Sequence, residues 1–266
     1  MLDEKTIQMV VNRLEKAEVT RKPIRQLSLE FPGMTVEDAY AIQDCWMQLK
    51  FSQGRVLKGR KIGLTSKVMQ QSVNINEPDY GALLDDMFFH DGSRIPYDRF
   101  IGPRVECELA FILAKPLRGP NCTIFDVFNA TDFVTPALEI LDARVLRVDP
   151  ETKATRKVVD TISDNAADAG IVMGGRPFKP LEEDLRWISV ICYRNGEIEE
   201  SGVAAAVLNH PANGIAWLAN KLARHNVPLE PGVILSGSFI RPLDIRKGDT
   251  IHADYGRFGC VTCHFE

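Results

Sequence analysis

The chain has 266 residues, 45% of them hydrophobic and 26% charged, enough for one large domain with a substantial core. Its 32 basic and 36 acidic side chains leave a formal net charge of −4, so there is no basic stripe to neutralise a phosphate backbone, and nucleic acid is excluded as a partner. No run reaches transmembrane length, and the opening stretch MLDEKTIQMVVNRLEKAEVTRK mixes charges of both signs without the apolar centre of a secretion signal, which predicts a cytoplasmic protein with no membrane partner.

The elements begin with two helices. Leu2, Ile7, Val10, Val11, Leu14 and Ala17 form one apolar stripe at helical spacing, and Ala39, Ile42, Trp46 and Leu49 form a second. Thr35 with Asp38 three residues later is a variant of the capping box and predicts the start of the second helix. The chain then turns strand-like. Gly59 and Gly63 bracket a short extended piece that carries Lys61. Left in solvent, Lys61 is one of several neighbouring cations. In a pocket, burial and a metal would lower its pKa and suit it to proton transfer. Asp79, in Glu-Pro-Asp-Tyr-Gly, reads first as a turn residue and second as the acid that orients this lysine or a water.

Residues 104–113 have the composition of a strand, whose period of two puts Glu106, Glu108 and Ala110 on one face and Val105, Cys107, Leu109 and Phe111 on the other. Same-face neighbours are about 7 Å apart at Cα, close enough for two carboxylates to repel or to share a cation. The apolar stretch 136–141 carries a third glutamate, Glu139, which needs a partner if it is buried. Three carboxylates with no histidine nearby in sequence favour Mg²⁺, with Mn²⁺ as the second choice, over Zn²⁺. Spacing alone leaves another arrangement open: Glu106 and Glu108 on the wet face of an edge strand, with Glu139 paired to Arg144 or Arg104.

Further on, 187–194 and 197–202 around Asn195-Gly196 predict a β-hairpin, because Asn-Gly supplies the positive φ angles of a type I′ turn. A helix follows, with Pro211 at its first position and Ile215, Leu218, Ala219 and Leu222 as its buried stripe. A second hairpin joins 250–255 to 260–265. The Cys260-x-x-Cys263-His264 pattern inside it matches haem-attachment spacing, but residues three apart on a strand face opposite ways, so it is assigned to structure. The six cysteines are predicted to be reduced. Together these elements predict an α+β protein. There is no Gly-rich phosphate loop to indicate a nucleotide.

The segments LKGRKIGLTSK, DYGALLDDMFFHDG, RVECELAFILAKPL, PALEILDAR, TISDNAADAG and VLNHPANGIAWLANKL strongly resemble the hydratase/decarboxylase family of aromatic meta-cleavage pathways, part of the fumarylacetoacetate hydrolase superfamily. The resemblance runs over nearly the whole chain. It implies a mixed β-sheet core around a helix with an N-terminal helical segment, divided as 1–65 (helical) and 66–266 (β-rich, metal-binding and catalytic). It also implies a homo-oligomer acting on a short 2-oxo-enoic or 2-hydroxydienoic acid by hydration, with decarboxylation by the same site as the rival. C–C bond hydrolysis and a non-catalytic role as the partner of a pathway enzyme stand further off. Its metal motif falls on Glu106, Glu108 and Glu139, its proton-transfer lysine on Lys61 and the acidic partner on Asp79. Ser163, Asn165, Ser236 and Ser238 fall at pocket positions. A seven-carbon dicarboxylate would also need a reader for its far end, for which an Arg fork is the natural choice; Arg241 is the candidate.

Overall fold

The computed structural model describes residues 1–72 and 75–266. Three helices, α1 (Glu4–Thr20), α2 (Leu27–Glu30) and α3 (Val36–Ser52), precede β1 (Leu57–Gly63). A short helix, α4 (Lys67–Ser72), leads to β2 (Asp79–Leu84), β3 (Phe88–His90), β4 (Arg94–Ile95) and the long β5 (Arg104–Leu113). Then come α5 (Ile124–Ala130), β6 (Thr131–Leu141), α6 (Val158–Ser163) and β7 (Asp168–Met173). The chain closes with β8 (Ser189–Arg194), β9 (Glu197–Val203), α7 (Pro211–Ala223), β10 (Gly232–Leu235), β11 (Leu243–Asp244), β12 (Thr250–Asp254) and β13 (Cys260–Phe265).

The capping box at Thr35 and Asp38 is formed in both directions, and Pro211 opens α7 with His210 as its cap. Asn195 and Gly196 both have positive φ, at 55° and 87°, and join β8 to β9 as the hairpin signal requires. The short helices α2, α4, α5 and α6 each have seven residues or fewer and cannot repeat an apolar stripe, although Thr123 and Asp126 at the head of α5 repeat the Thr-x-x-Asp capping spacing. All six cysteines are free. In β13 the burial alternates, with Cys260 half-buried and Cys263 buried, as its strand assignment demands.

Among the described residues the strands form two mixed sheets. The larger runs β2-β1-β10-β5-β6-β7-β3, with β11 also paired to β5; the smaller runs β4-β13-β12-β8-β9. Strand β1 belongs to the larger sheet, pairing in parallel with β10 and antiparallel with β2, so the segment 1–65 contains a strand of the core as well as the helices. The central pair β5 and β6 is covered on both faces, which is why its sequence reads as nearly continuous apolar runs. Helix α7 buries Ile215, Leu218, Ala219 and Leu222 in the cluster shared by both sheets, giving a β core around a helix. Helices α1 and α3 pack Val10, Val11, Leu14, Ile42 and Trp46 against Ala82 and Leu84 of β2 in a separate cluster. Tyr255, beyond β12, ties the layers together: its hydroxyl donates to the carbonyls of Glu108 at 3.0 Å and Ala137 at 2.8 Å.

Candidate active site

The antiparallel register of β5 and β6 sets Glu106 directly opposite Glu139, with Glu108 two residues along on the same face. One oxygen from each of the three lies within 4.8 Å of the others. Glu108 and Glu139 are fully buried and Glu106 is half-buried. The edge-strand arrangement is thereby overturned: β5 is flanked by β6 on one side and β10 and β11 on the other, Arg144 pairs with Asp164, and Arg104 pairs with Asp244.

The three carboxylates face a single nearby ammonium among the described residues, that of Lys61, 3.1 Å from Glu139 Oε1, and so remain short of counter-charge. Glu108 Oε2 accepts the Gly237 N–H at 2.7 Å, but Glu108 Oε1 and both oxygens of Glu139 are buried without a hydrogen bond. Burial first, and the charge of Glu139 next, push the Glu106 carboxyl up to about 8, and the same two causes hold Glu108 well above the carboxylate range. Unsatisfied buried acceptor atoms on Glu108 and Glu139, with a Glu106 oxygen converging on them, are what a hard divalent cation with oxygen ligands would satisfy. The donor set therefore fits Mg²⁺ or Mn²⁺.

A pH dependence follows from these raised values. A carboxyl whose pKa is raised by folding stabilises the fold while protonated, and that contribution is lost as pH rises from the unfolded value through the folded one. Metal-free protein should therefore lose thermal stability as pH rises from about 5 through about 8, whereas a cation binds the ionised form. The rise in Tm on adding Mg²⁺ should be larger at about pH 8 than at about pH 6 by differential scanning fluorimetry. A gain independent of pH would contradict the burial of these glutamates as ionisable ligands.

Lys61 comes from β1, where it is paired with Gly81 and Leu235. Its ammonium lies 3.1 Å from Glu139 Oε1 and donates to the Ala166 carbonyl at 3.1 Å. The sequence predicts that burial and a bound cation together lower the pKa of this lysine. Burial does act to lower it, but Glu139, Asp79, Glu106 and Asp168 together outweigh burial and raise it far above the ordinary lysine value. Lys61 is an ammonium here. Asp79 is buried at the start of β2, opposite Gly63, and is no exposed turn residue. Burial raises its pKa and Lys61 offsets part of the rise. Gly63 must be glycine, since a Cβ there would stand 2.2 Å from Asp79 Oδ1.

The remaining expected residues divide into two groups. Ser238 lies in the wall of a cavity of about 410 Å³ that also exposes Glu106, Gly63, Thr65 and Arg241. Ser236 is fully buried, its hydroxyl unpartnered. Ser163 instead donates to the Val159 carbonyl within α6 at 2.8 Å, and Asn165 clamps both backbone groups of Ala82 at 2.7 and 2.9 Å; both side chains serve the frame. Arg241 is exposed and ion-paired to Glu200 at 2.6 Å.

Three features escaped the sequence. Asp168 opens β7 fully buried, with neither oxygen hydrogen-bonded. Its signal was the one that exposed Glu139, a lone acid at an apolar run. Asn165, Ala166 and Ala167 all have positive φ, at 52°, 52° and 61°, a strained turn of the kind held by surrounding structure, and it aims the Ala166 carbonyl at Lys61. Gly237, at φ 111°, has no room for a Cβ, which would stand 2.3 Å from Thr65 Oγ1, and turns its N–H to Glu108. A second cavity of about 410 Å³, lined by Glu15, Arg21, Lys50, Arg55 and Arg99 among others, touches none of the three glutamates.

Relatives share this arrangement of chain. The sequence is 66% identical over 266 residues, covering 100% of both chains, to the 2-oxo-hept-4-ene-1,7-dioate hydratase of Escherichia coli. It is 40% identical to the 2-keto-4-pentenoate hydratase of Paraburkholderia xenovorans, over 95% of this chain and 92% of that one. The solved structure of 4-oxalocrotonate decarboxylase from Pseudomonas putida G7, complexed with magnesium and adipate, superposes with a TM-score of 0.94 at 31% identity, covering 100% of this chain and 99% of that one. Residues 61–266 match the model described as fumarylacetoacetate (FAA) hydrolase C-terminal, a match that begins inside β1 at the buried lysine, and the chain belongs to the fumarylacetoacetate hydrolase family.

Proposed function

We propose that this chain is a divalent-metal-dependent hydratase that converts 2-oxohept-4-ene-1,7-dioate, in its 2-hydroxyhepta-2,4-diene form, to 4-hydroxy-2-oxoheptane-1,7-dioate in aromatic catabolism. The observation that carries the reading is the buried trio Glu106, Glu108 and Glu139, with a lysine ammonium on one of its members and an aspartate beside that lysine. The full-length similarity to the hydratase of Escherichia coli supports the choice of substrate.

Glu106, Glu108 and Glu139 would hold Mg²⁺ or Mn²⁺, and the cation when bound supplies a Lewis acid at the 2-oxo acid end of the substrate. Lys61 and Asp79 carry the protons. The dienol loses its 2-hydroxyl proton and gains one at C5, giving the conjugated 2-oxo-3-ene. Water then adds as hydroxyl at C4 and proton at C3. Lys61, pinned between Glu139 and the Ala166 carbonyl, is the proton donor; the carboxylate charge that keeps its pKa high is offset once the glutamates hold a cation, which eases release of the proton. Asp79, with one buried oxygen free of hydrogen bonds, is the acceptor that reloads it. Ser238 in the cavity wall and the unpartnered Ser236 hydroxyl orient substrate or water. Hydrolytic C–C cleavage would call for a histidine–acid pair at the site, but no histidine among the described residues lines the cavity that exposes Glu106, and His210, His252 and His264 are engaged with Ala212 N–H, Thr262 and Thr250.

Product analysis tests this directly. Incubation of the Mg²⁺-loaded protein in D₂O with the five- and seven-carbon dienols should give the 4-hydroxy-2-oxo acids by NMR, with the seven-carbon acid preferred. Release of CO₂ from 2-oxo-3-hexenedioate in preference to hydration of either dienol would assign the site to decarboxylation instead.

A further inference from the structure

Beside the carboxylate cluster lies a group of arginines that the reaction as described does not use. Arg104 is on the same face of β5 as Glu106, two residues away, so the strand repeat carries it about 7 Å further along that face. Arg147 and Arg156 come from the segment after β6. The Arg156 N–H donates to the Arg147 carbonyl at 2.9 Å, and Arg147 Nη2 donates to the Gly102 carbonyl at 2.9 Å. Arg147 Nε and Arg156 Nη1 are buried and have no hydrogen-bond partner among the described residues.

The acids nearby are already taken. Asp142 accepts the N–H groups of Ile101 and Gly102 at 2.8 and 2.9 Å. Asp164 binds Arg144 Nε at 2.6 Å and the Arg144 backbone N–H at 2.8 Å, and Asp244 holds Arg104. Burial first, then the charges of Arg104 and Arg156, push the Arg147 guanidinium down to about 10; burial also lowers Arg156, against the charges of Asp164 and, more weakly, Asp79, the acid beside Lys61. Two cations with buried, unmatched donors, one near Arg104 and the other near enough to Asp79 for their charges to interact, call for an incoming anion. Arg241 is a poorer reader, being exposed and already paired with Glu200.

We propose that Arg147 and Arg156, flanked by Arg104, form the subsite that binds the distal carboxylate of the substrate and so selects a dicarboxylate over a monocarboxylate. The inference rests on the hydratase reading for its substrate, but its test does not rest on turnover. A guanidinium pair offers a carboxylate charge-assisted hydrogen bonds from planar donors, and rejects a chain ending in methyl because the buried cations are then left unpaired.

The probes are 2-oxoheptanedioate and 2-oxoheptanoate, saturated acids of equal length that differ only in the far end, titrated calorimetrically into the full chain loaded with Mg²⁺. The unaltered protein should prefer the diacid. In Arg156→Gln and Arg147→Gln this preference should fall by roughly 10²-fold, the usual cost of truncating one side of a buried charge pair. Arg156→Lys should retain part of it. Arg147 and Arg156 are both half-buried, and Arg147→Gln and Arg156→Lys carry the test should Arg156→Gln fail to fold. A preference that survives in the folded variants, or one that collapses in Arg241→Gln instead, would overturn the subsite. If the unaltered protein hydrates neither dienol yet loses its diacid preference in the variants, the hydratase reading fails and the subsite stands.

Discussion

Lys61→Met should lower kcat by ~10²- to 10⁴-fold, the usual contribution of a positioned proton donor, with a much smaller change in KM. The side chain has no other task in the structure that binding of substrate would need. Its ammonium spans Glu139 and the Ala166 carbonyl inside a shell of carboxylates, and it is 3% exposed. Methionine keeps the length and apolar stem and removes the ammonium, its charge and its exchangeable protons. The loss of one positive charge beside Glu139 also leaves more negative charge on the ligand set, so Mg²⁺ affinity should hold or rise. Steady-state kinetics at saturating Mg²⁺ with calorimetric Mg²⁺ titration separate these effects. A variant whose KM rises while kcat is preserved would make Lys61 a binding cation and end its assignment as proton donor.

Glu106→Gln should weaken Mg²⁺ binding by at least ~10²-fold, since loss of a residue that merely supports a ligand already costs roughly 10–100-fold. Glu106 is the right position for this test because it is the half-buried member of the trio, standing at the cavity wall. An isosteric amide there relieves repulsion with Glu139 across the strand pair, so the metal-free fold should be as stable as before or more so, while activity at limiting Mg²⁺ collapses. The combination of higher metal-free Tm and lower metal affinity is specific to a ligand. A glutamate with a purely structural partner would give destabilisation, and unchanged Mg²⁺ affinity would remove Glu106 from the metal site.

What the sequence determined by itself is whatever depends on near neighbours along the chain. The capping box at Thr35, the Asn195-Gly196 turn, Pro211 at the head of α7 and the alternation that puts Glu106 and Glu108 on one face are all set by local φ and ψ preferences and by the strand period. The roles of Lys61 and Asp79 were legible only through family resemblance, because a lysine among other cations and an aspartate after proline look ordinary in isolation. Tertiary structure alone decided the cross-strand register that sets Glu139 opposite Glu106, the gathering of carboxylates that keeps the buried Lys61 an ammonium, and the left-handed turn at Asn165–Ala167 that supplies its second anchor. It also decided that Asn165 and Ser163 support the frame, and that Arg147 and Arg156 are left with unpaired donors beside the site. Register and burial arise from contacts between residues far apart in the chain, and the ionisation of a buried group depends on every charge packed around it, so neither is carried by any local pattern.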